Sequence, residues 1–446
     1  MKMTRTRSAL LGSGAAVALL AAQVPASADE IEDLRTQIQS LQDKMGKLEA
    51  AQRRKHRVAP AAAVEAGAKP RSWKLPGTNT SMQIGGYAKL DLIYDINANT
   101  GDSIGPPPAS GSAAGNRQQH WRLHAKQSRF WIRTWTPTDW GELETHIQGD
   151  FYGAGGNEVV SNSDTFRARH LYGRLGPVLA GMTWSTFMIL ESLPDTLDFS
   201  GPAGVPFVRQ AQIRYTHSFG GGTVLILAVE NPESTLATAY TSNAAIAALA
   251  AAGPDQMPDF VVGLTHTWGS GRASVRAIFR QLVTDNGAGV SESAFAWGIH
   301  GGFGWRFNNR RTAIGMSGYY GRGLGRYTLA AGNVVAVVLN GTPNSISART
   351  VAQYGGQIWI QHRWTDTLRS NLVYGRIRND YVQQVTGGLG SAGSNTQDYW
   401  TVHANLIWTP VPNVNIGVEY IYGFNGIVNS ANGELHRIQV SFQYAF

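Results

Sequence analysis

The sequence predicts an all-β chain: a sixteen-stranded antiparallel transmembrane β-barrel preceded by a short N-terminal α-helical coiled coil. Three observations predict it. From Met82 onward the chain divides into segments in which apolar and polar residues alternate, the period of a strand with two unlike faces. The connections between those segments are alternately long and short. The last segment, Glu434 to Phe446, sets Ile438, Val440, Phe442, Tyr444 and Phe446 on one parity against Arg437, Gln439, Ser441 and Gln443 on the other. Such a strand needs a partner on each face. It fits either a lipid-facing barrel stave or the amphipathic edge of a soluble sheet.

Composition favours strands over helical spans. The 446 residues include 52 Gly, 13 Trp and 16 Tyr, only 15% are charged, and no apolar run of spanning length occurs beyond the N-terminus. The formal charge is +8; Lys2, Arg5 and Arg7 lie in a leader, so the mature chain carries 35 − 30 = +5. No Lys/Arg stripe accompanies a nucleic-acid-binding motif, so no nucleic-acid partner is expected. Without cysteine there is neither disulfide nor thiol chemistry.

In chain order, residues 1–28 read as a signal peptide: a basic start, an apolar stretch from Ala9 to Ala22, and Ala26-Ser27-Ala28 as the cleavage pattern. Residues 29–52 carry Ile31, Leu34, Ile38, Leu41, Met45 and Leu48 at alternating spacings of three and four, an a/d seam of three heptads. A helix this short is marginal alone, which makes association with copies of itself the expectation. Residues 53–81, opening with Arg53-Arg54-Lys55-His56-Arg57, read as a linker that is either solvated or in contact with anionic headgroups or cell wall.

The barrel occupies 82–446. Its strands are placed at 82–97, 121–135, 140–151, 165–175, 178–188, 207–219, 222–230, 258–268, 271–283, 294–307, 310–320, 351–364, 366–378, 398–409, 412–424 and 433–446. Connections such as Gly176-Pro177, Gly220-Gly221 and Asn308-Asn309 are tight, while those at 98–120, 231–257 and 321–350 are long. That order is expected of an up-and-down barrel with one trimmed rim and one elaborated rim. Trp135, Trp140, Trp268, Trp305, Trp364 and Trp408 collect at the tight end, as an aromatic girdle would. In the first strand Met82, Ile84, Ala88, Leu90 and Leu92 oppose Gln83, Tyr87, Lys89 and Asp91; in the fourteenth Trp400, Val402, Ala404, Leu406 and Trp408 oppose Thr401, His403 and Asn405. The polar faces predict a watered lumen.

Several stretches resemble the DcaP-like outer-membrane porins: Gly86-Tyr87-Ala88-Lys89-Leu90-Asp91, Ser128-Arg129-Phe130, Gly149-Asp150-Phe151, Phe166-Arg167-Ala168-Arg169-His170, Gly181-Met182-Thr183-Trp184-Ser185-Thr186-Phe187, and Gly201-Pro202 through Arg209-Gln210 to Arg214-Tyr215. They cover the first half of the barrel; the second half matches in pattern only. The resemblance implies a homotrimeric sixteen-stranded channel in the bacterial outer membrane, passing small anions, notably dicarboxylates, with the coiled coil in the periplasm. The final strand, ending in Phe446, similarly resembles the segment by which outer-membrane assembly machinery reads such barrels. Membrane lipid and further copies of the chain are then its other partners.

Arg129, Arg133, Arg167, Arg169, Arg209 and Arg214 are candidates for an inward basic wall, since a guanidinium fork matches a carboxylate. The loop Ile189–Pro206 carries Glu191, Asp195 and Asp198 and would fold into the lumen, opposing acids to arginines across a transverse field. Equally, Glu142, Glu144 and Asp150 stand between the arginine strands as wall partners. Arg209 and Arg214 differ in parity, so both face inward only if a bulge intervenes. Arg272, Arg276 and Arg280 form a further lumen row on the ninth strand.

No nucleophile elbow, zinc-protease helix or phosphate loop occurs, and neither cofactor nor metal is expected. Gly321 to Arg326 only superficially imitates a phosphate cradle and reads as a mobile basic surface loop. Two other classes compete with the channel: a barrel enzyme, for which no Ser/His/acid set assembles, and a secreted coiled-coil adhesin or structural protein, which leaves the alternating loop lengths unexplained.

Overall fold

The computed structural model describes residues 28–55, 64–116, 118–157, 159–233, 236–237, 251–252, 255–285, 291–328, 335–339, 346–380, 396–428 and 430–446. The signal segment up to Ser27, His56 and Arg57 of the basic run with the linker residues to 63, and parts of several long connections lie outside these residues. The chain forms two units, divided at Val64. The first is a helix, α1 (Ala28–Lys55), on which Leu34, Ile38, Leu41, Met45 and Leu48 are all more than half exposed.

The second unit is a closed antiparallel barrel. Its staves are β1 (Ser81–Asp95), β2 in two pieces (His120–His124 and Arg129–Thr138), β3 (Gly141–Asn157), β4 (Ser163–Leu175), β5 (Val178–Trp184), β6 (Arg209–Gly220), β7 (Thr223–Glu230) and β8 (Asp259–Trp268), followed by β9 (Gly271–Asp285), β10 (Ser291–Phe307), β11 (Thr312–Arg322), β12 (Ala352–Arg363), β13 (Leu368–Asp380), β14 (Thr396–Trp408), β15 (Val414–Ile427) and β16 (Gly433–Ala445). Each pairs with the next, and β16 returns to β1 with Tyr87 opposite Ala445 and Asp95 opposite Arg437. Phe446 completes the seam: its N–H donates to Gly86 O at 3.0 Å and its carbonyl accepts from Gly86 N at 3.3 Å. All sixteen expected strands are present, and the closure leaves no edge.

Alternation assigns the faces as the sequence predicts. Ile438 and Tyr444 are exposed on the outside of β16 while Arg437, Gln439 and Ser441 are buried inside it, and Thr401, His403 and Asn405 line the interior of β14. No helix among the described residues is long and apolar enough to cross a membrane.

Three features depart from the sequence reading. The fifth strand stops at Trp184 instead of 188, because Ser185 to Val208 turns inward. The end of the expected linker is built onto the barrel: Trp73 and Lys74 pair with Met82 and Ser81, and Lys69 Nζ meets Glu142 at 2.8 Å. The stretch read as a mobile surface loop also folds inward, with Leu324 and Tyr327 fully buried. Its anchor is the Tyr327 hydroxyl, which lies 2.8 Å from an Asp259 carboxylate oxygen.

Candidate functional site: an arginine wall facing an inward loop

The loop of residues 185–208 is fastened by its own backbone. Glu419 on β15 accepts from Leu197 N at 2.9 Å and Asp198 N at 3.2 Å; Asn405 donates to Asp195 O, and Gln357 and Trp359 both donate to Ser192 O. On the other side Lys89 Nζ donates to Leu197 O at 2.7 Å, and Ala203 N reaches the Thr401 hydroxyl at 3.0 Å. Gly204 takes φ +78°, and a side chain there would collide with the carbonyl oxygens of Arg376 and Gly356. A loop that buries backbone must satisfy its polar groups, and the wall's polar face does so here.

The three loop acids are committed to the same task. Asp198 is fully buried and meets Arg437 at 3.3 Å; Asp195 meets Arg369 at 2.7 Å; Glu191 accepts from Ser274 at 3.2 Å and lies 3.8 Å from Arg272. Burial pushes the Asp198 carboxyl above the usual carboxylate range, against the pull of Arg437. The acids thus pair with arginines of β9, β13 and β16 and not with the candidate wall.

On the facing side, four guanidiniums converge on aromatic rings. Arg129 lies over Tyr87 at 4.9 Å, Arg209 over Trp184 at 4.4 Å, and Arg169 over Trp184 and Phe199 at 5.6 Å each. Arg167 lies over Phe199 at 5.4 Å and Tyr152 at 5.5 Å. Phe199 and Phe207 belong to the inward loop, and Tyr152, Phe199, Phe207, Trp184 and His170 form a chain of ring contacts along it. A cation over a ring face is held without being neutralised.

A β-bulge makes this crowding possible. Across β3 and β4 the register shifts between Gln148, opposite His170, and Gly149, opposite Ala168, leaving Arg169 as the extra residue. Arg169 and His170 therefore both turn inward although they are adjacent. The bulge expected between Arg209 and Arg214 is not there: the β5–β6 register runs without interruption from Arg209 to Tyr215. Arg214 shares the inner face with Gln212, whose side-chain oxygen accepts from its Nε at 2.9 Å, and its Nη2 donates to Trp184 O at 2.6 Å. Arg209 joins the cluster from the strand's first position.

Pairing with wall acids falls unevenly. Arg167 holds Asp150 through two bonds of 2.9 and 2.8 Å, and Arg169 adds a third at 2.5 Å; Asp150 is fully buried. Glu144 pairs with Arg174 at 2.6 Å and Glu142 with Lys69. Arg129, Arg133 and Arg209 have no carboxylate within salt-bridge distance among the described residues, and each has a buried side-chain nitrogen without a partner. On the ninth strand Arg280 pairs with Asp259 at 2.9 Å, whereas Arg276 bonds only to Leu264 O, Val275 O and Thr265.

Sequence reading missed the rings. Tyr87, Tyr152, Trp184 and Phe199 were visible as residues, but their role depends on the loop entering the lumen. Arg369 and Arg437 were also missed as anchors, although Arg437 has the inward parity of the last strand and faces Asp95, which it holds at 2.6 Å.

A family model described as DcaP outer membrane protein matches residues 19–446. The chain belongs to the DcaP outer membrane protein family. Among solved structures, this DcaP-family barrel is similar to the outer membrane channel DcaP of Acinetobacter baumannii, at 22% identity, TM-score 0.70, covering 86% of this chain and 100% of that one. It is also similar in fold to the outer membrane protein OmpT of Vibrio cholerae, in its trimer form (10% identity, TM-score 0.50, 82% and 99% covered) and in its outer-membrane expressed form (10%, 0.50, 83% and 99%). A comparison with curated proteins gives no match. Membership places the DcaP-family chain in the bacterial outer membrane, and its fold is that of a porin.

Proposed function

We propose that this outer-membrane porin admits small anions, dicarboxylates among them, along the wall formed by Arg129, Arg133, Arg167, Arg169, Arg209 and Arg214. The observation that carries the reading is the charge balance at the rings. Against the rings of Tyr87, Tyr152, Trp184 and Phe199 stand four guanidiniums, Arg129, Arg167, Arg169 and Arg209, which pair with one carboxylate, Asp150, so 4 − 1 leaves three positive charges that no carboxylate pairs. A confined, partly dry passage strengthens that field, and planar forks orient a carboxylate at either end of a solute. The acids Glu191, Asp195 and Asp198 serve the loop's seating, which leaves the arginine side without an opposing acidic face.

The test is reversal potential in planar bilayers under a salt gradient. The wild type is expected to favour the anion, and Arg129→Gln with Arg209→Gln to weaken that preference, by about 1 kcal/mol for each charge removed. Arg167→Ala with Arg169→Ala also lowers it, though less, because Asp150 already offsets one of the pair. Unchanged selectivity in both double variants overturns the reading.

The same reading includes a homotrimer, supported by the trimer form of the Vibrio cholerae barrel and by the exposed apolar seam of α1. In it the helix projects into the periplasm as a coiled coil, residues 1–28 are removed as a signal peptide, and Phe446 is the mark read by the assembly machinery.

A further inference from the structure

The outer face of β10–β13 carries a narrow apolar groove that the channel does not use. Gly301, Gly318 and Gly356 are outward-facing and lie side by side in register, so three neighbouring staves present backbone where others present side chains. Phe303, Met316, Ile358 and Tyr374 wall a groove of about 610 Å³ over them; a second, of about 440 Å³, shares Gly318 and Gly356, runs between Ile299, Tyr320 and Tyr354, and ends on Arg376.

Depth can be read from β14, where Trp408 stands opposite Leu368 at the tight rim and Trp400 opposite Arg376. From Leu368 to Arg376 is eight residues, about 20 Å along the membrane normal at ~3.3 Å per residue and a ~40° tilt. Arg376 therefore sits at the outer aromatic belt with Trp400, Tyr354 and Tyr374, where headgroups lie. Its Nε and Nη2 hold Asp398 at 2.8 and 2.7 Å, leaving the Nη1 edge turned away from that partner. Arg378, two residues on with the same outward parity, makes no ion pair among the described residues; Asp380 is the one acid on this strand and is exposed on its outer face.

We propose that this face binds a phosphorylated lipid of the outer leaflet, its phosphate on Arg376 and Arg378 and an acyl chain in the groove below. A guanidinium matches a phosphate geometrically, and the groove leads straight from that charge into the hydrocarbon zone. A second barrel is the wrong shape for the groove, since a convex sheet cannot reach a floor recessed between projecting tyrosines.

The test uses the full chain in detergent, native mass spectrometry, and two probes: bisphosphorylated lipid A and the same lipid with its phosphates removed. Wild type should retain the phosphorylated lipid, while Arg376→Gln with Arg378→Gln lowers retention about tenfold, the loss expected for a charge-assisted bond. Gly318→Leu fills the groove and should lower retention of both lipids. Heat-modifiable migration and single-channel conductance report that the variants fold. Equal retention of the two lipids, or of one lipid by wild type and the arginine variant, overturns the proposal. So does a Gly318→Cys variant that cross-links to a second copy, which would make the face a subunit contact.

Discussion

At the scale of single residues the arginines are not equivalent. Asp150 binds two of them, and three bonds from guanidinium nitrogens satisfy a carboxylate that has no access to water. Removing one partner of such a buried set leaves the other uncompensated. Asp150→Asn is therefore expected to raise anion preference, by adding one net positive charge, and to cost about 3 kcal/mol of stability. Reversal potential reads the first effect and the temperature of heat-modifiable migration the second. A variant that lost stability without gaining selectivity would show that Asp150 lies outside the solute's field. Outside the strands, Asp102 gives a pH prediction. Burial alone would raise its carboxyl, but the Lys126 ammonium at 2.6 Å, with His124 and Arg122, outweighs burial and holds it below the usual range. A lowered carboxylate contributes stability above its unfolded pKa and loses it only as pH falls through the lower folded value. The contribution of this pair to stability, read as the temperature of heat-modifiable migration, should therefore hold as pH drops through the range where free aspartates protonate, and Lys126→Met should bring its loss to higher pH.

At the scale of elements, strands and loops differ in how far the sequence reveals them. Each strand's place follows from a period of two and a tight turn, both local. That is why β16 and β14 could be assigned face by face from Ile438 or Trp400 alone. The loop of residues 185–208 has no period. Its course is set by partners scattered from Lys89 to Glu419, hundreds of residues away, and only closure of the barrel brings them together. The same applies to Tyr327, which a Gly-rich stretch disguised, and to Asp198, whose partner Arg437 is in the last strand. The bulge at Arg169 is intermediate: the parity clash of Arg167 and Arg169 with His170 was written in the sequence, but the one expected near Arg209 was sought in the wrong strand. Because the loop's seat rests on Glu419 and Gly204, Glu419→Ala should unfasten it and increase open-channel noise and mean conductance in single-channel records. Gly204→Ala should act the same way through its blocked φ and the carbonyls behind it. Conductance traces as quiet as the wild type would mean that the remaining bonds suffice.

At the scale of the whole molecule, the barrel closes by one seam between its first and last staves, and the final residue supplies a reciprocal pair of bonds to Gly86. Its ring stays largely exposed, at 66%, so it adds little packing within the chain. Deleting Phe446 should therefore reduce the yield of assembled barrel in membranes far more than it alters the conductance of barrels that do form. Normal yield would remove its role as an assembly mark.

The loop's seating has one last consequence. Its carboxylates and backbone are fastened by β1, β7, β9, β10 and β12–β16, while the unpaired guanidiniums of the wall stand on β2 and β6. Architecture and selectivity thus occupy separate sets of side chains that share almost no member. A chain so divided can exchange the residues of one wall, and with them the solutes it admits, without renegotiating the fit of the loop that narrows it.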